Sequence, residues 1–349
     1  MARHGRRKSL LFNGHLDTNP VTGGWMVDPF GGLVDDRFVY GIGVSNMKAG
    51  DAAYFMAVRT LIEAGVRLAG DVLLSFVVGE LQGGIGTVRA IEQGLRADCF
   101  INAEPTDLGG LTLHAGAFNF EIELHGVTRH LSKREEAVDA ILAAARLIPR
   151  LTEMRFEGAA TPAHAAINRA HVGIVRGALT DGFNETRPPQ VADFCRLAGA
   201  ARYAPSQTIE GVLADIGRLL SEVEADTPGL CAVVYRAGGA DRPSMPPFEA
   251  DLNWPIVATI AAAYQQVRGQ AQPQGALRPY CYYGTDAAHL VRLAGMPGIV
   301  CGPGGKFNTM PDERVAIDDY LDMICVYMLG IIGVCKSTPS LLPRTAQLS

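Results

Sequence analysis

The sequence has no C-x-x-C pair, no long run of like charge, no low-complexity linker and no internal repeat. Each absence narrows what the chain can be. Its seven cysteines (Cys99, Cys195, Cys231, Cys281, Cys301, Cys325 and Cys335) are odd in number and scattered, so they read as reduced, mostly buried thiols of a cytoplasmic protein. A net charge of -5 spread without long like-charge runs leaves no electrostatic footprint for nucleic acid, and no basic amphipathic stretch marks a membrane surface. The start, MARHGRRKSLLFNGH, reaches polar Asn13 and His15 too soon for the apolar region of a signal peptide. The most apolar stretch, residues 323–334, is too short to span a bilayer and contains Gly330 and Gly333; it reads as a buried helix. What remains is an ordinary globular chain of 349 residues, 48% hydrophobic and 19% charged, with room for more than one domain and suited to a small-molecule partner.

The apolar pattern supplies the fold class. A short run at residues 10–12 ends at His15 and Asp17, and helical character follows over residues 47–64. The pattern then repeats: DVLLSFVV (71–78) is β-rich and ends at Glu80, residues 86–94 read as helix, and ADCFIN (97–102) is a third strand ending at Glu104. Alternating strands and helices predict an α/β fold, a mostly parallel twisted sheet flanked by helices. His15, Asp17, Glu80 and Glu104 all fall just past the ends of predicted strands, where open α/β sheets gather their sites.

After Gly116 the texture changes. FNFEIEL (118–124) alternates as a half-exposed antiparallel strand does, residues 137–150 form an amphipathic helix, and residues 173–178 and 195–203 read as strands. A second helix over 209–224 and a last strand at 231–235 complete the series. This order predicts an α+β domain, residues 116–240, inserted into an α/β domain made of residues 1–115 and 241–349. In the returning segment, residues 256–267 and 317–332 read as helices and 298–301 as a buried strand.

Along this framework lies an ordered set of motifs. They are GHLDTNP (14–20), Trp25 with DPFGG, YGIGVSNMKAG (40–50), GELQGGIGT (79–87), AEPT (103–106), RHLSKREEAVDAI (129–141), the Arg202 segment, GTDAAH (284–289) and GPGGKFNTMPDE (302–313). Over nearly the whole chain this set resembles the signature of the acetylornithine deacetylase, succinyl-diaminopimelate desuccinylase, aminoacylase and carboxypeptidase G group. The resemblance implies a zinc-peptidase-like catalytic domain, an inserted lid or dimerisation domain, a divalent metal cofactor, and hydrolysis of an amide bond in an N-acyl amino acid or similar carboxylated amide. By resemblance, His15 matches the first metal ligand, Glu104 the acidic ligand that shares its metal, Asp17 the carboxylate that orients the histidine, and Glu80 the general base. His130 matches a histidine that reaches across a homodimer to the substrate carbonyl oxygen, and Arg202 a residue that clamps a substrate carboxylate. Gly304 belongs to a glycine turn whose backbone amides approach the ligand.

Three positions depart from that pattern. Asn46 stands where the resemblance puts a bridging aspartate, Leu81 where it puts the glutamate after the base, and no histidine follows His289. Thr309, Asn308 and Asp312 are the candidates for the missing C-terminal ligand. A neutral amide brings no charge to hold two cations together, and Leu81 brings no lone pair, so the second metal site is expected to be lost. His15, Glu104 and the amide oxygen of Asn46 then hold one ion per chain, zinc, manganese or cobalt. Asn46 also reads as the N-cap of the helix that follows.

Two rival readings stand beside hydrolysis: a binding protein that keeps only carboxylate recognition through Arg202, and changed chemistry in which Glu80 abstracts a proton. His114, His125, His164 and His171 match no motif and read as structural or surface residues, and Cys301 reads as a buried thiol rather than a nucleophile. Only fourteen residues precede His15, fewer than in the family: either the chain begins late or its sheet edge is exposed, and an exposed edge would favour pairing with another chain.

Overall fold

The computed structural model describes residues 8–185, 187–239 and 243–335. It divides into two compact units. One contains the described residues up to Leu113, Glu249–Tyr280 and those from Thr285 onward; the other is His114–Phe248 with Cys281–Gly284.

The first unit is built on a six-stranded sheet in the order Gln274–Gly275, Gly110–Leu111, Gly298–Val300, Cys99–Asn102, Leu10–His15, Val72–Val77. Neighbours run parallel except where Gly110–Leu111 meets Gly298–Val300. The central strands read as unbroken apolar runs because helices cover both faces: Leu10, Leu11, Phe12, Phe100 and Ile101 have no exposed surface. Phe12 stacks on Tyr54 at 5.3 Å between ring centres and meets the edge of Tyr327 at 5.0 Å, which ties the Ala49–Glu63 and Ile317–Cys335 helices to the sheet. The apolar run at residues 323–334 lies inside that last helix, and no described helix is long and apolar enough to cross a membrane.

Register does the work of assembling a site. Leu10 pairs with both Val72 and Cys99, so His15 lies level with Val77 and Asn13 with Asn102. Two residues beyond that pair come His15 and Glu104, whose Nε2 and Oε1 lie 3.3 Å apart.

One local expectation fails. The helix predicted from residue 47 starts at Ala49, and Val44–Lys48 forms a wide turn in which Asn46 and Met47 have non-helical backbone angles. Asn46 is therefore not the helix N-cap, and the Ala49–Glu63 helix has no side-chain cap. The cause is Glu313, whose carboxylate accepts the N–H groups of Gly43 (3.1 Å), Ser45 (2.9 Å) and Asn46 (2.9 Å) and holds them away from a helical path.

The second unit is a four-stranded antiparallel sheet in the order Cys231–Arg236, Gly116–His125, Phe194–Tyr203, Arg169–Ala178. Phe118, Phe120, Ile122 and Leu124 alternate onto its buried face. Helices Ala140–Glu153 and Ile209–Asp226 lay Leu147, Leu151, Ile216 and Leu220 against them, each such burial contributing about 1.5–3 kcal/mol. Asp139 and Thr208 cap these helices by accepting the N–H groups of Leu142 and Gly211.

Candidate metal centre

His15 is the last residue of its strand and 1% exposed. Its backbone N–H donates to Sδ of Met47 at 3.3 Å, and its ring Nδ1 lies 2.9 Å from the carbonyl oxygen of Asp17. A carbonyl only accepts, so Nδ1 carries the proton and Nε2 is turned toward the site.

At Nε2 only acceptors converge. Oε1 of Glu104 and Oδ1 of Asn46 each lie 3.3 Å away, and Oε2 of Glu80 lies 3.9 Å away. The donor atoms of His15, Glu80 and Glu104 are all within 4.8 Å of one another, and this is the one group of metal-capable His, Cys, Asp and Glu side chains among the described residues. Four acceptor atoms facing one another need a positive charge among them. The titration of His15 carries the same message: burial disfavours its charge, but Glu104, then Glu80 and Asp17, outweigh burial and hold the imidazole up to about 10. The donor set, one imidazole, carboxylates and an amide oxygen, fits a divalent cation. Glu80 is held well above the usual carboxylate range by burial and by Glu104.

The layer behind these atoms is polar and ordered. Asp17 spends its carboxylate on the turn that carries Glu80, Oδ1 accepting from Gly79 (3.0 Å) and Glu80 (3.4 Å) and Oδ2 from Leu81 (3.2 Å). Its backbone carbonyl orients the His15 ring, while the carboxylate lies 3.4 Å from Nδ1. Asp17 thus meets the imidazole through its backbone carbonyl and, at 3.4 Å, through its carboxylate, while the same carboxylate holds the Glu80 turn. Ser45 accepts the N–H of Gly305 at 3.0 Å and ties the glycine turn to the segment carrying Asn46. Gly304 is buried with φ +74°, and a Cβ there would sit 2.6 Å from Oγ of Ser45, so its lack of a side chain has a packing reason. A hydrogen-bonded chain, Asn102 to Asn13 to Thr87 to Asp286, runs under the strand ends. Burial pushes the carboxyls of Asp286 and Asp51 up to about 7.

Oδ1 of Asp312 accepts the N–H groups of Met26 and Val27 at 2.8 and 3.2 Å and so pins a loop, and Thr309 is exposed. Asp312 is not a member of the metal-capable group, and the N–H of Asn308 donates to the Gly305 carbonyl. His130 and Arg202 belong to the second unit. His130 is exposed and accepts the Ser132 N–H at 3.2 Å, and Arg202 is half-buried, opposite Arg169 and Ala117 on neighbouring strands. Cys301 is fully buried, and burial pushes its thiol up to about 12, as befits an inert core group. His114 stacks on Phe248 in the core and His164 is buried; His289, inside GTDAAH, lies 2.9 Å from the Gly83 carbonyl. Asp51, Asp286 and Glu313 were not foreseen as parts of this centre, although the last two fall inside quoted motifs.

A family model, Peptidase family M20/M25/M40, matches residues 11–331. The chain belongs to peptidase family M20/M25/M40. Among curated relatives of this M20 chain is the N-formyl-4-amino-5-aminomethyl-2-methylpyrimidine deformylase of Bacillus subtilis (strain 168), 28% identical over 94% of this chain and 80% of its own length. Another is the acetylornithine deacetylase of Edwardsiella ictaluri (strain 93-146), 25% identical over 88% of this chain and 76% of its own. Among solved structures, the M20 family metallo-carboxypeptidase Sso-CP2 from Sulfolobus solfataricus shares the fold, with a TM-score of 0.71 at 18% identity, covering 94% of this chain and 85% of that one. The M20 assignment makes the chain an amidohydrolase, and a cluster able to hold a metal, formed by His15, Glu80 and Glu104, fits that family.

Proposed function

We propose that this M20 chain is a single-metal deacylase that hydrolyses the amide of a small N-acylated compound, an N-acyl amino acid or similar carboxylated amide. The observation that carries the reading is the convergence of acceptors on Nε2 of His15. His15, Glu104 and the amide oxygen of Asn46 are the proposed ligands of one ion, zinc, manganese or cobalt. Bound there, the ion supplies Lewis acidity, polarising the amide carbonyl and acidifying water. Leu81 offers no donor at the position of a second ion's carboxylate, and no histidine occurs in residues 290–349.

Glu80 takes the proton of the attacking water and returns it to the departing amine. Burial and Glu104 raise the Glu80 carboxyl above the usual carboxylate range, which makes its carboxylate a stronger base toward the water proton. Asp17 keeps the Glu80 turn in place through three amide hydrogen bonds. By motif position, His130 is assigned to the developing oxyanion, Arg202 to a substrate carboxylate and Gly304 to the substrate-facing turn. The His130 role brings with it a homodimer, in which one copy completes the other's site. The seven unpaired thiols suit a reducing, cytoplasmic setting.

A second reading, a binding protein without turnover, draws its support from Leu81. Glu80→Gln separates the two. Wild type and E80Q are assayed with metal against N-formyl, N-acetyl and N-succinyl amino acids and an N-formyl aromatic amine, the last because one relative is named for such a compound. A deacylase turns over at least one class and loses roughly 10³-fold in kcat on E80Q with binding retained. A binding protein turns over none and binds alike in both forms.

A further inference from the structure

Asn46 withdraws a negative charge from a position where the resemblance puts a carboxylate, and Asp51, five residues on, puts one back. Asp51 lies in the first turn of the Ala49–Glu63 helix and is 4% exposed. Its Oδ1 accepts the hydroxyl of Tyr54 at 2.9 Å, whereas its Oδ2 is buried with no hydrogen-bond partner among the described residues. The carboxyl presses on Gly14, the residue before His15, so closely that a Cβ there would sit 1.9 Å from Oδ1. Its field acts on His15 and Glu104, two of the proposed ligands. Lys48 acts on it as a cationic neighbour, yet leaves Oδ2 unbonded. An apolar side chain would fill this core position more favourably, since a buried carboxyl with a free oxygen is tolerated only near compensating positive charge.

We infer that Asp51 is a positioning residue for the metal, an anion one layer behind the ligands that replaces the charge Asn46 lacks. The assignment rests on the single-metal reading above. Attraction between a carboxylate and a divalent cation is strong in a water-poor interior, so the charge raises metal affinity without touching the ion.

The test is the dissociation constant for Zn²⁺, and separately Mn²⁺, of the chelator-stripped full chain, read by competition with a chromogenic chelator and set beside melting temperatures. D51N and D51L are expected to weaken binding by about tenfold or more, and N46D/D51N to return to the wild-type value. Metal-free D51L is expected to melt no lower than wild type, because it removes a buried charge; should D51N fail to fold, D51L carries the comparison. Metal affinities of D51N and D51L within about twofold of wild type overturn the assignment, since a residue that only buttresses Tyr54 would lower stability and leave affinity alone. N46D/D51N as weak as D51N also overturns it. A wild-type chain that binds neither metal overturns the single-metal reading and the assignment together, which tells that failure apart from the other two.

Discussion

The side-chain oxygen of Asn46 lies 3.3 Å from Nε2 of His15, the same nitrogen that Glu104 approaches to 3.3 Å. Two oxygens at one ring nitrogen demand a positive charge, a proton on the imidazole or a cation beside it. In metal-free protein the proton serves, which is why His15 is so basic. A metal must displace that proton, so affinity follows how strongly residue 46 and its neighbours favour the ion over the proton.

N46A should therefore weaken metal binding by about tenfold, and N46D should tighten it by a similar factor, as an ionised ligand replaces a neutral one. Isothermal titration with Mn²⁺ on chelator-treated protein measures both. Equal affinities in all three proteins would mean that Asn46 is not a ligand.

Asp17 should matter through the Glu80 turn rather than through charge at the reaction. D17N keeps one acceptor oxygen and loses the other, leaving at least one of the Gly79, Glu80 and Leu81 amides unbonded. The expected cost is about 2 kcal/mol of stability, together with roughly a hundredfold loss in kcat from a misplaced base. Thermal melts and steady-state kinetics read the two effects, and a variant with unchanged kcat would remove Asp17 from the account.

G14A tests the packing beneath the ligands. The added methyl would collide with the Asp51 carboxyl, whose position is held by Tyr54. A loss of about 1–3 kcal/mol is expected, together with weaker metal binding as the His15 strand end shifts. Full stability and full metal affinity in G14A would show that this contact relaxes without consequence.

Metal-free protein should lose stability as pH rises from about 4 to 8. Asp51 and Asp286 have folded-state values near 7 against 3.8 unfolded, so the native state holds protons that the unfolded chain has released, and stability falls across that interval. Each group contributes on the order of 4 kcal/mol to the change. His15 adds to the slope above 6.5, where the unfolded imidazole is neutral and the native one still charged. His289, lowered by burial, works the other way below 6.5, and the lowered carboxylates Asp35 and Glu123 act only beneath this window. Melting temperatures of chelated protein at pH 5, 6, 7 and 8 should decline steadily, and saturating metal should flatten the trend. A rise over that range would contradict the acceptor-rich centre.

Much of this centre was legible in the sequence because apolar runs and parallel register dictate it. His15, Glu80 and Glu104 follow three strand-like runs, and once Leu10 pairs with Val72 and Cys99 they have to meet. The start of the Ala49–Glu63 helix was not legible, because the group that unwinds residues 44–48 is Glu313, 267 positions away from Asn46. The spacing of His15 and Asp17 pointed to an oriented imidazole, but not to the backbone carbonyl that also meets Nδ1 or to the hold of the same carboxylate on the Glu80 turn. Asp51 was silent for another reason. One carboxylate in a helical run looks like a solvated residue until the Gly14 strand and Tyr54 close over it.

The most direct test of the central claim is elemental mass spectrometry of the purified chain before any chelator has touched it. The account predicts about one zinc, manganese or cobalt ion per chain, lost in H15A. Two ions per chain, or none after incubation with all three metals, would contradict it.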